Sequence, residues 1–290
     1  MSIVVNTNIG SLNAQRSLSE SSRELSTAME RLSSGKKINS AADDAAGFAI
    51  AERMTAQVRG LNMATKNAND GLAMLSTIEN ATNDVTDMLQ RIRELAVQAA
   101  NDTNSSTDRE YLQAEVNSLL DEINRVSTQT VYNNQNVLDG GQAGTLQVGT
   151  DAGQTISFSI DSIDTDALEL TTAAVASGGV VSPSSASGVA PISVLTASGA
   201  AAALTKISSA IEQVAEDRAG YGALANRLEY TVSNLMNVAE FTTAARSRIE
   251  DADFAAESAR LAKAQVLQQT GTAMLAQANA SSQLAIQLIR

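Results

Sequence analysis

The 290-residue chain is 43% hydrophobic but only 3% aromatic and has no Trp, so its core must come from small aliphatic side chains, as in helical bundles with close backbone approach. With no Cys there is no disulfide, thiol nucleophile or thiolate metal site, and with no His the commonest general base and metal ligand is missing too. The formal net charge of −12 argues against a nucleic-acid partner.

In chain order, the first residues, MSIVVNTNIGSLNAQ, lack an apolar core behind positive charges, so no cleaved secretory signal is expected. Ile9 and Leu12 precede Leu18, Leu25 and Leu32 at steps of seven, with Ser22 and Met29 four residues after the first two of these leucines. That predicts an amphipathic first helix over 1–34 with coiled-coil character. Gly35 and Asn39 mark its end. Ser40 is the expected N-cap of the next helix, with Asp43 and Asp44 in the first turn at the positive dipole end.

That second helix is predicted over about 44–101. Leu61, Ala68, Leu75, Thr82, Leu89 and Ala96 share one heptad position, and Ala64, Gly71, Ile78, Val85, Ile92 and Ala99 share another. Such a stripe asks for a long helix lying along other helices, about 85 Å at about 1.5 Å per residue. Asn101–Ser105 reads as a turn and Thr107-x-x-Glu110 as a capping box. Leu112, Val116, Leu119, Ile123 and Val126 then carry a third helix over about 107–130, antiparallel to the second.

Alternation follows. Leu146 and Val148, the turn Asp151-Ala152-Gly153, then Ile156, Phe158 and Ile160 predict a β-hairpin with one buried face. No basic residue falls between Arg125 and Lys206, so this side is acidic. Asp161, Asp164 and Asp166 cluster there without the residue order of a calcium loop, and a solvated surface is expected. Residues 172–199, with the two prolines Pro183 and Pro191, read as a low-complexity surface insert.

The fourth helix, about 200–246, places Leu204, Ile211, Ala225, Val232 and Ala239 on one heptad line and Ile207, Val214, Tyr221, Leu228 and Leu235 on another. Gly220 and Gly222 inside it suggest close helix packing. The last helix carries the stripe Leu261, Ala264, Leu267, Gly271, Met274, Ala278, Ser281, Ala285 and Leu288. Residues 264–289 hold no charge at all, yet seven Gln and Asn side chains interrupt them, so no membrane insertion is expected. A helix uncharged nearly all round is normally buried on every side. The first helix can cover one side; the others need further chains. Polymerisation is therefore the expected function, with Leu18, Leu25, Leu32, Leu261, Leu267, Met274 and Leu288 as self-assembly residues.

No Ser-His-Asp set, H-E-x-x-H, phosphate-binding loop or dinucleotide fingerprint occurs. Adjacent on a helix, Asp43 and Asp44 diverge too far for paired acid–base work. No enzyme, cofactor or metal is expected.

The stretch LSSGKKINSAADDAAGFAIAERMTAQVRGLNMATKNANDG from Leu32, with NTNIGSLNAQRSL before it and RSRIEDADFAAE near the other end, resembles bacterial flagellin, the filament subunit, over 1–140 and 200–290. The resemblance implies a mainly α, elongated antiparallel helical bundle and coiled coil with a small β-hairpin region and paired N- and C-terminal helices. It implies three regions: a terminal coiled-coil domain (1–43 and 250–290), a rod domain (44–171 and 200–249) and the insert (172–199). It implies an extracellular homo-polymeric filament, export unfolded through the flagellar type III channel, a secretion chaperone, and hook-associated and cap proteins as partners. Family members are detected by a vertebrate Toll-like receptor, and matching the motif QRIRELAVQ and Gln113-Ala114-Glu115 carries that patch onto Arg91, Leu95 and Glu115. Leu95 lies off the Leu89/Ile92/Ala96 stripe and is expected to be available for contact. O-linked sugars near 177–198 are a further expectation. The alternatives are a hook–filament junction adaptor and a non-flagellar secreted coiled-coil adhesin.

Overall fold

A computed structural model describes residues 7–171 and 192–287, with side chains described to residue 280. The order is α1 (Ile9–Ser34), α2 (Ala45–Ala99), α3 (Ser106–Gln129), β1 (Val131–Tyr132), β2 (Gln135–Asn136), β3 (Ala143–Gln147), β4 (Thr155–Ser159), α4 (Ala197–Glu250) and α5 (Phe254–Gln287). The chain is mainly α, with two antiparallel hairpins. Two compact units arise: Gly60–Val238, and Met1–Arg59 with Ala239–Arg290. Helices α2 and α4 contribute to both.

The Gly60–Val238 unit holds a continuous hydrophobic core. All twelve positions of the α2 stripe are buried. A third heptad line (Met74, Ala81, half-buried Met88, Leu95) turns inward as well, so α2 buries a face wider than a two-stranded seam. Helix α3 adds Val116, Leu120 and Ile123; α4 adds Ile207, Val214, Tyr221 and Leu228. Leu112, Leu119 and Val126 flank the core half-buried, so the inward line of α3 runs through Leu120 rather than Leu119.

The cap of α3 differs from the predicted one. Ser105 and Asp108 form the capping box: Asp108 N–H donates to Ser105 Oγ at 3.2 Å, and Ser105 N–H donates to the Asp108 carboxylate at 3.0 Å. Thr107 and Glu110 are not the pair, because the turn is two residues tighter than the motif suggested. The β1–β2 hairpin, absent from the prediction, turns on Asn133 and Asn134 at φ 48° and 66°. Strands β3 and β4 pair Leu146 with Ile156 and Gly144 with Phe158. Leu146 reaches Gly71 so closely that a Cβ there would lie 2.5 Å from its Cδ1. Gly71 is thus where α2 admits the hairpin. By contrast, a Cβ on Gly220 or Gly222 meets nothing within 4 Å, so the close packing expected at these glycines is absent.

Of the expected insert, residues 172–191 lie outside the described residues. Residues 192–196 do not form a loose surface segment: Ile192 and Val194 are buried, and α4 already begins at Ala197. The buried Gln113 amide holds them as a strand neighbour would. Its Nε2 donates to Ile192 O (3.3 Å) and to Asn117 Oδ1 (2.9 Å), and its Oε1 accepts from Val194 N–H (2.6 Å). Ile192 N–H donates in turn to Thr171 O at 2.8 Å, closing the base of the intervening segment.

In the other unit, α1 ends at Gly35 in the left-handed conformation (φ 72°), as predicted. The cap of α2 is Asp44 rather than Ser40: its Oδ1 accepts from Ala46 and Gly47 N–H at 3.1 and 3.0 Å. Ser40 belongs to the preceding turn, where its N–H and that of Asn39 donate to the Asp43 carboxylate and hold it below the usual carboxylate range.

Candidate assembly surface

Helices α1 and α5 pair antiparallel. Asn8 Nδ2 donates to Ala278 O at 2.8 Å at one end, Gly271 lies on Leu18, and Arg31 Nη1 approaches Glu257 Oε1 at 3.9 Å at the other. Leu18, Leu25 and Leu32 are half-buried in this seam, with Ser21 and Ala28 buried between them. From α5, Glu257 and Ala264 are buried and Leu261, Gln268, Gly271, Leu275 and Ala278 half-buried.

Two of the predicted assembly residues therefore lie off the seam. Leu267 is 40% exposed and Met274 63% exposed, and Gln268 and Leu275 occupy the inward positions. The seam steps from Ala264 by four to Gln268, whereas the apolar pattern stepped by three to Leu267. Hydrophobicity misplaced the seam because α5 is uncharged on every face here, so polarity does not mark which side turns in. Val266 beside Leu267, and Ile9, Leu12 and Met29 on α1, are exposed as well. Leu267 and Met274 instead rim a groove floored by Gly10, Ala14, Ser17 and Ser21 of α1. Leu288 lies outside the described residues. No helix among the described residues is long and apolar enough to cross a membrane.

Arg91 and Glu115 come together as the motif suggests. Nε and Nη2 of Arg91 donate to Glu115 Oε1 at 3.1 and 2.9 Å, and Nη1 donates to Glu94 at 2.9 Å. Both side chains are about half-exposed. Hydrogen bonds to Glu94, then Glu115, raise the guanidinium pKa further. Leu95 does not join them: it is 1% exposed and sits in the core. The reason is the third inward line of α2, visible in the sequence as Met74, Ala81, Met88 and Leu95 at steps of seven.

A long helix whose described residues from Ala264 onward hold no charge, half covered by one partner and carrying large apolar side chains outward, defines a self-assembling structural subunit. The comparisons with known proteins agree. Residues 5–143 match the bacterial flagellin N-terminal helical region and residues 204–289 the C-terminal helical region. The chain is 40% identical to flagellin of Bacillus subtilis (strain 168), covering 99% of both chains, and 38% identical to flagellin of Halalkalibacterium halodurans, covering 99% of this chain and 100% of that one. In fold it is similar to the structure of a putative flagellar hook-associated protein from Vibrio parahaemolyticus, at TM-score 0.57 and 13% identity over 72% of this chain and 100% of that one. The chain belongs to the bacterial flagellin family. It is a subunit of the flagellar filament and a structural protein rather than an enzyme.

Proposed function

We propose that polymerisation buries the outward face of the α1–α5 pair against further copies of the chain. The observation that carries this is the exposure of Leu267 and Met274 on a helix whose described residues from Ala264 onward hold no charge. Each such side chain contributes roughly 1.5–3 kcal/mol when fully covered, before the entropy of ordering is subtracted. In this reading Leu18, Leu25, Leu32 and Leu261 hold the pair, and Leu267 and Met274 contact neighbouring subunits. The terminal region (1–43 and 250–290) forms the inner part of the filament, and the region 44–171 with 200–249 the outer shaft. Electron microscopy of the full chain beside a version lacking residues 271–290 tests this. Filaments from the first alone are expected; filaments from both would overturn it.

The remaining partners follow the family resemblance. The subunit leaves the cell unfolded through the type III channel, a chaperone holds its C-terminal part beforehand, and hook-associated and cap proteins bound the filament. Arg91 and Glu115 form the patch read by a Toll-like receptor, with buried Leu95 supporting α2 beneath it. An Arg91→Ala subunit should activate the receptor less than the parent chain in a reporter-cell assay; equal activation would remove the assignment.

A further inference from the structure

The seam between α1 and α5 contains little that distinguishes one alignment from the next. On α1 the larger inward side chains are Leu18, Leu25 and Leu32, spaced seven apart, with small Ala14, Ser21 and Ala28 on the second line. On α5 Leu261, Gln268 and Leu275 repeat at the same interval, with small Ala264, Gly271 and Ala278 on the second line. Sliding one helix past the other by a heptad returns large residues to large positions and small to small. Apolar burial alone therefore tolerates slipped pairings, as it does in coiled coils that lack a polar specifier.

One group of contacts is not periodic. Where α1 leaves and α5 begins, the two connections cross as a short antiparallel bridge centred on Lys36 and Asp251. Lys37 N–H donates to Glu250 O at 2.6 Å and Ala252 N–H donates to Gly35 O at 2.9 Å. The Lys36 ammonium pairs with the Glu250 carboxylate at 2.5 Å. One turn into the helices, Arg31 faces Glu257, whose side chain is 7% exposed. Arg260 also pairs with Glu257, but it lies on the same helix and travels with it. A slip by a heptad breaks the bridge and separates Arg31 from a buried carboxylate, which is unfavourable where an equivalent apolar exchange is not.

We propose that the Lys36–Asp251 bridge, with the Arg31–Glu257 pair, is the register lock of the terminal helices. Gly35–Ala252, Arg31–Glu257, Leu18–Gly271 and Asn8–Ala278 all keep one antiparallel register, so the setting made at the bridge persists along the pair. The consequence, which rests on the assembly reading above, is that the lock decides where Leu267 and Met274 stand beside Ala14 and Ser17. The surface offered to other copies is therefore set by contacts made within the chain itself.

The chain's lack of cysteine makes the register directly readable. An ideal Cβ at Gly271 lies 3.9 Å from the Leu18 Cβ, within disulfide range. In the full-length chain, Leu18→Cys with Gly271→Cys reports the native register, and Leu18→Cys with Ala264→Cys or with Ala278→Cys reports a slip of one heptad either way. With the lock intact, only the first pair is expected to oxidise rapidly. Adding Arg31→Ala and Lys37→Pro, which remove the cation and one bridge donor, should slow the native crosslink several-fold and make at least one slipped crosslink appear. The charge exchange Arg31→Glu with Glu257→Arg should keep the native pattern. An unchanged native crosslink in the Arg31→Ala, Lys37→Pro background would overturn the proposal. Equal loss of all three crosslinks would overturn it too, since the bridge would then fasten the helices without choosing their alignment. Crosslinks are read both on unpolymerised chain and on seeded filaments, with polymer yield scored separately by sedimentation, so failure here is distinguishable from failure to form filaments.

Discussion

The two units of this chain bury different things. In Gly60–Val238 the core is made of large side chains excluded from solvent, among them Ile78, Leu89, Ile92, Leu120 and Ile207. In the α1–α5 pair the buried seam residues are Ser21, Ala28, Glu257 and Ala264, two of them polar, while Leu267, Met274, Ile9 and Leu12 face outward. One unit is completed by its own chain. The other includes a pair of helices, α1 and α5, too sparsely covered for isolated stability, since tertiary burial rather than helix propensity supplies most helical stability. Order in the terminal helices is therefore linked to polymer formation.

The sharpest way to break this contrast is to remove equal amounts of apolar surface from each unit. Ile92→Ala should destabilise the Gly60–Val238 unit by about 2–5 kcal/mol in denaturant unfolding. Leu267→Ala should change the unfolding of the monomer by less than about 0.5 kcal/mol, yet raise the concentration needed for polymerisation in a sedimentation assay. Comparable losses of monomer stability from both would remove the distinction.

Alkali should also separate the units. Tyr221 is pushed up to about 12, first by burial and then by the Asp217 carboxylate beside it. The unfolded chain releases this proton near 10, the folded chain only near 12. The tyrosine therefore supports folding fully below 10 and loses that support as pH rises toward 12. The α1–α5 pair contains no tyrosine. Tyr221→Phe should flatten the alkaline fall of the thermal transition of the Gly60–Val238 unit between these limits. Asp217 is raised as well, by burial and by Asp161, so its contribution is present in acid and is lost as pH climbs through its folded value.

The two helix caps give a smaller, matched comparison. Ser105→Ala and Asp44→Ala each remove a side-chain acceptor at a helix start and should each cost about 1 kcal/mol. Calorimetry should place the first loss in the Gly60–Val238 transition and the second outside it. The smallest effect has the opposite sign. Gly222→Ala meets no neighbour, and Gly interior to a helix is unfavourable, so a gain of about 0.5–1 kcal/mol in melting experiments is expected.

Much of the fold was legible in the sequence because periodicity is strong where one face is buried and the other solvated. The twelve α2 positions, the second line of α4 and the β3–β4 alternation all follow that rule. Leu95 departs from it because α2 turns three heptad lines inward, and the two strongest lines do not include it. The phase of the α5 seam is illegible for the opposite reason: from Ala264 onward no described face of α5 carries a charge, so hydrophobicity does not say whether Leu267 or Gln268 turns inward. Both cap assignments slipped because several Ser, Thr and Asp residues stand near each helix start, and only backbone geometry selects among them. The lock at Lys36 and Asp251 was invisible, since a two-residue bridge between distant connections leaves no local pattern.

The Gln113 clamp bears on how the chain tolerates change in length. Thr171 and Ile192 are joined by a backbone hydrogen bond, and Gln113 grips the returning strand from beneath. Any loop placed between these two residues thus starts with its ends already together. The entropy of closing such a loop grows only logarithmically, about 0.6 kcal/mol for each doubling of its length. Whole blocks of sequence inserted between Thr171 and Ile192 would change the outline of the subunit and the mass it presents to solvent, while adding a closure cost smaller than the loss of one buried leucine.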